Sequence, residues 1–489
     1  MSTSAAREAS VIDGVQKGLF IGGRWVDSSN AGTFPVVDPS TGTALCEVAD
    51  ATPQDAMRAL DAAVDAQAGW AATSPRERGE VLRTAFRLMN ERVDDLALLM
   101  TLEMGKSLDG SKSEVAYASE FFRWFAEEAV RIEGNYSVAS NGQGRTMVMR
   151  QPVGPCVLIT PWNFPMAMGT RTIGPAIAAG CTMVLKPAGL TPLSMNALAG
   201  ILDEAGLPSG VLNVFTTSSS GSTVGPLLED PRARKLSFTG STEVGRKLME
   251  QASENLLRVS LELGGNAPFI VFEDADMDAA VEGAMTAKMR NIGESCVAAN
   301  RFYVHESVAE EFSARLADEM GALNVGRGTE PGIDVGPLVD ASQRDKVAEL
   351  VDDAVSKGAK SLVGGSKIEG PGYFFEPTVL VGVPDSARLL NEEIFGPVAP
   401  ILTFATEEEA VEKANGTEFG LVAYMYTSDI KRGLRVMEAL DTGMVGLNRG
   451  IVSNPAAPFG GVKHSGFGRE GGREGIHEYL YVKHVAIET

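Results

Sequence analysis

The stretch Val157-Leu158-Ile159-Thr160-Pro161-Trp162-Asn163-Phe164-Pro165 decides the fold. Its continuous apolar start reads as a buried strand, and the two prolines that follow stiffen the loop. Met183-Val184-Leu185, Val211-Leu212-Asn213-Val214-Phe215 and Lys235-Leu236-Ser237-Phe238 repeat the pattern, with helical spacing between them. Short apolar runs alternating with helices are the signature of a parallel sheet wrapped by helices. A second alternation begins at Ala267-Pro268-Phe269-Ile270-Val271 and continues through Arg301–Val304, Ala399–Phe404, Val422–Tyr426 and Met444–Leu447. The chain therefore reads as two α/β domains, with a break near Leu263-Gly264-Gly265-Asn266, whose glycines suit a bend.

Upstream, Phe20-Ile21-Gly22-Gly23-Arg24-Trp25-Val26 reads as strand, turn and strand, and a further short strand precedes the turn cluster Asp38-Pro39-Ser40-Thr41-Gly42. Thr52-Pro53-Gln54-Asp55 and Ser74-Pro75 are helix starts with proline at the first helical position. A third helix is expected from about Ser111 to Ile132. Its Phe121, Phe122, Trp124 and Phe125 read as core packing, with a substrate tunnel wall as the other reading. The tail His477 to Ile487 alternates like a strand, which could pair with another element or a sister subunit, as could the extended run Thr146–Arg150.

The 489 residues are 44% hydrophobic, which allows a large core but exceeds one compact domain. Lys and Arg number 43 against 64 Asp and Glu, a net charge of −21, with no basic block. Such a chain repels nucleic acid and anionic membranes, and an anionic substrate would need local arginines. Cys46, Cys156, Cys181 and Cys296 form no CxxC pair, so neither a disulfide scaffold nor a metal site is expected. With no apolar signal core and no apolar run long enough to span a bilayer, the expected location is the cytoplasm.

Cys296 lies in Asn291-Ile292-Gly293-Glu294-Ser295-Cys296-Val297-Ala298, a small-residue break between the helical pattern Met277 to Met289 and a strand. A thiol on such a loop is open to a substrate, although most free cysteines are small buried hydrophobes. Phe238-Thr239-Gly240-Ser241-Thr242-Glu243-Val244-Gly245 follows a strand and opens a helix, which favours phosphate. It is neither the usual dinucleotide fingerprint nor a nucleotide-triphosphate loop, and a plain turn with a helix cap is equally served. Asn163, past the end of a strand, is either a preorganised oxyanion donor or a turn-forming amide. Lys186 also follows a strand, where it could meet ribose hydroxyls or phosphate. Glu262, inside the apolar run Leu261-Glu262-Leu263-Gly264-Gly265, is expensive to bury as an anion; a raised pKa would suit a general base.

In order, Trp162-Asn163-Phe164-Pro165, Lys186-Pro187, Gly240-Ser241-Thr242, Leu261-Glu262-Leu263-Gly264-Gly265, Gly293 with Cys296, Glu393-Ile394-Phe395-Gly396-Pro397, and Pro458-Phe459-Gly460-Gly461 with Ser465-Gly466 resemble the aldehyde dehydrogenase superfamily from about Phe20 to the C-terminus. The resemblance implies an α/β fold with a Rossmann-type cofactor domain (1–135 and 153–265), an α/β catalytic domain (266–465) and a small oligomerisation sheet (136–152 and 466–489). It implies that Cys296 attacks an aldehyde, that Asn163 and the Cys296 N–H hold the oxyanion, and that Glu262 activates the water releasing the acid. Lys186 and Glu393 would hold ribose hydroxyls, Phe395 would pack by the nicotinamide and Ser241 would meet the pyrophosphate. Thr160, Pro161, Trp162, Gly189, Gly240, Gly245 and Leu263 would complete the cofactor site. A free thiol with pKa about 8.5 is only a few per cent thiolate at pH 7, so cofactor and local dipoles would have to depress it.

Trp124-Phe125-Ala126-Glu127-Glu128-Ala129 resembles the branch of that family acting on succinate semialdehyde, as do Arg171, Arg290 and Ser453, which match residues binding the distal carboxylate. The planar guanidinium fork suits that task, while a structural ion pair is the other reading of each arginine. Glu294 stands where the family usually has Gln and is expected to point away from the thiol. Ala298 replaces the second cysteine of a redox switch found in some members. Gly189 replaces a glutamate that binds the adenosine ribose diol in NAD-preferring relatives, so NADP is expected to be accepted and preferred, with NAD as the second cofactor. The expected substrate is a small anionic aldehyde, and the expected assembly a homodimer or homotetramer. Alternatives are a glutarate-semialdehyde or broad aliphatic aldehyde dehydrogenase, a non-catalytic protein on the same fold, and a cysteine hydrolase. The last lacks a suggestive partner among His305, His464, His477 and His484.

Overall fold

A computed structural model describes residues 5–488. The first sheet has eight strands, in the order Arg24–Val26, Leu19–Ile21, Leu212–Val214, Met183–Lys186, Cys156–Ile159, Lys235–Thr239, Arg258–Glu262 and Gly466–Phe467. Five of its inner strands, from Leu212–Val214 to Arg258–Glu262, are parallel and all but the start of the last are buried, which is why they read as unbroken apolar runs. In chain order they lie third, second, first, fourth, fifth. That is the doubly wound arrangement, and the order reverses between Cys156–Ile159 and Lys235–Thr239.

The second sheet runs Lys360–Val363, Thr378–Val381, Val398–Phe404, Ala299–His305, Ala267–Val271, Val422–Tyr426 and Met444–Leu447, parallel except at its Lys360–Val363 edge. Adjacent in sequence, Arg258–Glu262 and Ala267–Val271 belong to different sheets, so the chain crosses between them over Leu263–Asn266. The third sheet is antiparallel and mostly exposed, with Arg145–Pro152 between Asn135–Val138 and Leu480–Ile487. Its last strand starts later than the alternation suggested, because His477 ends a one-turn helix, Glu474–His477.

The early helices form where their caps predict. Thr52 and Ser74 each accept from the backbone of the third helical residue, Asp55 and Glu77, whose carboxylates return the bond. The third expected helix corresponds to Leu108–Glu128, which yields to a 3-10 turn at Ala129–Arg131. Phe121, Phe122 and Phe125 are core residues; Trp124 is only half-buried and donates its indole N–H to the Gly472 carbonyl, 3.0 Å away.

Candidate active site

The sheet reversal creates a crevice at the carboxyl ends of two strands, where doubly wound folds bind ligands. One side carries Thr160–Asn163. The other carries Gly240 and Ser241, and Ser241 caps the helix Thr242–Ser253 by accepting from Val244 N at 3.4 Å. The phosphate-favouring helix start thus follows the fourth parallel strand, not the first, which is why the usual fingerprint is missing. Gly245 is required by packing, since a Cβ there would lie 2.5 Å from a Leu263 methyl.

Three successive left-handed residues shape the nucleophile loop: Asn291 (φ 58°), Ile292 (φ 63°) and Gly293 (φ 77°). Non-glycine residues persist in that region only when their surroundings hold them. Here Asn291 Nδ2 donates to the Asn163 and Glu294 carbonyls at 2.9 and 2.8 Å. Asn163 Nδ2 donates to the same Glu294 carbonyl at 3.0 Å. A Cβ on Gly293 would stand 2.2 Å from the Gly396 carbonyl, so glycine lets the Glu393–Pro397 segment close over the loop. Tyr424 secures the far side by donating to the Val297 carbonyl at 2.8 Å. The Glu294 side chain accepts from Val339 N at 3.1 Å and is fully buried.

The Asn163 loop has its own support. Lys106 donates to the Asn163 carbonyl at 2.9 Å and pairs with Glu114, both inside the protein. Glu114 in turn accepts from Met166 N and Ala167 N at 3.0 and 3.1 Å, at the start of the helix Ala167–Ala179.

Two cavities meet at Cys296. A cleft of about 690 Å³ is lined by Pro161, Trp162, Asn163, Gly240, Ser241, Glu262, Leu263, Glu393 and Phe395, with Thr239, Gly264, Gln343 and Lys346. A much tighter chamber is lined by Arg171, Arg290 and Ser453 with Tyr117, Phe164, Met168, Ser295, Val297 and Phe459. Cys296 lines both, so the thiol stands between a long cleft and a small cationic chamber. Thr160, Lys186, Gly189 and Gly245 line neither. Thr160 follows the strand Cys156–Ile159 and Lys186 ends its neighbour, where Lys186 Nζ donates to Ser220 Oγ at 2.9 Å. A Cβ on Gly189 would make only ordinary contacts, 3.4 Å from the Thr217 carbonyl and 3.6 Å from the Phe34 ring.

The electrostatics disfavour the charged forms of the reacting groups. Burial pushes the Cys296 thiol up to about 12; Arg171 opposes this, while Glu393 and Glu262 add to it. The chain alone therefore does not supply the depression that a resting thiolate needs. Burial and the nearby Glu470 carboxylate raise Glu262 well above the usual range, with Arg171 and Arg469 opposing. Neither Glu262 oxygen has a hydrogen-bond partner. Burial raises Glu393 to about 7, although Gly265 N donates to it at 3.1 Å, and burial lowers Lys186 to about 8.

The arginines differ from each other. Arg171, 1% exposed, forms an ion pair with Glu470 and lies over the Phe459 ring at 4.2 Å, yet its Nη2 has no hydrogen-bond partner. Arg290 is half-buried, donates to Ser453 Oγ at 3.0 Å and lies over the Tyr117 and Phe164 rings at 5.5 and 5.1 Å. Arg171 is a structural ion-pair member that also lines the chamber. Sequence reasoning passed over Tyr117, Lys106, Glu114, Asn291 and Glu470. Only the tight Asn-x-Gly spacing before Cys296 hinted at one of them; the rest meet the site through long-range packing.

A family model described as "Aldehyde dehydrogenase family" matches residues 25–485. The chain is 58% identical over 443 residues to the succinate-semialdehyde dehydrogenase of Paenarthrobacter nicotinovorans, covering 91% of this chain and 98% of that one. It is 51% identical over 470 residues to the glutarate-semialdehyde dehydrogenase of Pseudomonas putida, covering 96% and 97%. The crystal structure of an NADP dependent enzyme from E. coli superposes with a TM-score of 0.96 at 48% identity, covering 100% of both chains.

Proposed function

The chain belongs to the aldehyde dehydrogenase family, and we propose that it oxidises succinate semialdehyde to succinate through a covalent intermediate on Cys296. The observation that carries this reading is the chamber in which Arg171, Arg290 and Ser453 share a wall with Cys296. A four-carbon chain with a reactive carbonyl at one end and a carboxylate at the other suits such a chamber. The arginines offset the repulsion of a protein with net charge −21.

In this reading Cys296 gives up its proton to solvent and adds to the aldehyde carbon, forming a thiohemiacetal whose oxyanion is held by the Asn163 amide. The Lys106 and Asn291 bonds to the Asn163 backbone carbonyl hold the residue, and its own donation to the Glu294 carbonyl orients the amide before substrate arrives. When bound, NADP or NAD supplies the hydride acceptor. The cleft supports such a cofactor: the helix start at Ser241 favours its pyrophosphate and Glu393 lines it for ribose hydroxyls, while Lys186, outside the lining, would meet hydroxyl or phosphate groups from the neighbouring strand end. Lys186 beside Ser220, with Gly189 bearing no carboxylate, supports NADP as the preferred form. Loss of hydride leaves a thioester on Cys296. Glu262, whose raised pKa makes it a better base than an ordinary carboxylate, takes the proton of the water that releases succinate and the thiol.

Residues 5–135 and 153–265 are assigned to the cofactor, 266–465 to catalysis, and 136–152 with the strand Leu480–Ile487 to assembly, since Gly466–Phe467 edges the first sheet and Glu470 pairs with Arg171. Tyr136, Val138 and Val482 are 61%, 58% and 58% exposed on the third sheet, which supports a homodimer or homotetramer. No described helix is long and apolar enough to cross a membrane, and a cytoplasmic location is the simplest reading.

Initial rates with succinate semialdehyde and with butyraldehyde, each with NADP and NAD, test the reading. A large preference for the semialdehyde that disappears in Arg171→Ala or Arg290→Ala is expected; equal rates overturn it. The 51% identity to a glutarate-semialdehyde dehydrogenase favours the five-carbon semialdehyde as a second reading, tested in the same assay.

A further inference from the structure

Tyr117 stands in the helix Leu108–Glu128, on the wall of the small chamber that Cys296 also lines. Its ring packs edge-on against Phe121 at 5.0 Å and lies beneath the Arg290 guanidinium. With Phe164 on the same guanidinium, two rings orient one cationic fork. Tyr117 shares the chamber wall with Arg171, Arg290 and Ser453.

A bound carboxylate presents two oxygens with about four acceptor sites. The chamber offers Arg171 Nη2, which has no partner, and the part of the Arg290 fork not given to Ser453. Ser453 Oγ accepts from Arg290, which leaves its own proton to donate. That makes three donor groups, and the Tyr117 hydroxyl is a fourth. Charge gives the same answer. Glu470 compensates Arg171, while among the described residues no carboxylate forms an ion pair with Arg290, so the chamber has room for one added negative charge.

We infer that Tyr117 is a specificity-determining residue whose hydroxyl donates to the distal carboxylate of the substrate, while its ring holds Arg290 in register. This rests on the proposed carboxylate chamber and adds a residue to it. The two duties separate chemically, because phenylalanine keeps the ring and loses only the hydroxyl. A hydrogen bond to a charged acceptor is worth more than one between neutral groups, so Tyr117→Phe is expected to act on carboxylate-bearing ligands selectively.

The experiment compares wild type with Tyr117→Phe in the ratio of kcat/KM for succinate semialdehyde to that for butyraldehyde, and in competitive inhibition by succinate. The ratio is expected to fall about tenfold or more, mainly through KM, and the succinate inhibition constant to rise by a similar factor. A wild-type ratio near one overturns the carboxylate chamber itself. A high wild-type ratio, lost in Arg290→Ala but unchanged in Tyr117→Phe, overturns the role of Tyr117 alone. Equal loss with both aldehydes, with succinate inhibition unaltered, makes Tyr117 structural and also overturns it.

Discussion

Arg171 and Glu470 form an ion pair enclosed in the protein, 1% and 5% exposed, at the edge of the chamber beside Cys296. Neither Glu470 oxygen has a well-aligned hydrogen bond, so the pair is held by charge more than by geometry. Removing one partner of a buried pair costs about 3–5 kcal/mol, because it strands the other charge. Arg171→Ala is therefore expected to lower stability by that amount in chemical denaturation. Arg290→Ala, which removes a half-buried group bonded only to Ser453 Oγ, should lower it by about 1 kcal/mol. Arg171→Ala with Glu470→Ala should recover part of the loss. Equal costs for the two single variants would contradict the asymmetry.

Lys288 is fully buried, and its one hydrogen bond goes to Asn300 Oδ1 at 3.3 Å. Burial lowers its pKa from 10.5 to about 7, with Glu393 opposing. Between those values the unfolded chain carries the proton and the folded protein does not. Stability then rises with pH, by about 1.4 kcal/mol per unit for one such group. Below about pH 7 both states are protonated and the full penalty is present. Replacing Lys288 with Met should flatten the stability profile between pH 7.5 and 9.5 by close to one proton, measured by urea unfolding at several pH values. An unchanged slope would show that the lysine stays charged in the fold.

The sheets were legible because buried parallel strands leave short apolar runs, and Val157–Ile159, Met183–Leu185 and Lys235–Phe238 all lie within observed strands. Their lateral order was not legible, since it depends on which helix covers which face. Cys296, Glu262 and Asn163 could be picked out because each breaks its local pattern: a thiol in a small-residue loop, a carboxylate in an apolar run, an amide between prolines. The single cavity edge shared by the three could not be read. Tyr117 and Lys106 break no pattern; each is an ordinary residue at or beside a helix, and only packing brings it to the site. The resting thiol also departs from what the loop suggested, because burial outweighs Arg171.

Lys106 and Glu114 offer a way to separate the charge balance of the site from the placement of its oxyanion donor. Lys106→Met leaves Glu114 buried without its cation and also takes away the donor to the Asn163 carbonyl. Stability should fall by about 3–5 kcal/mol. kcat/KM should fall at least about tenfold, and by the same factor for succinate semialdehyde and butyraldehyde, because Asn163 serves the carbonyl and not the distal carboxylate. In the double variant Lys106→Met, Glu114→Gln, the stranded charge is gone. The amide oxygen can still accept from Met166 N and Ala167 N, so the start of the helix Ala167–Ala179 stays supported. Much of the stability should return. Turnover should not, since the Asn163 carbonyl keeps only its bond from Asn291. Recovery of stability and turnover together would mean that the ion pair serves the fold alone and that Asn291 suffices to hold the amide in place.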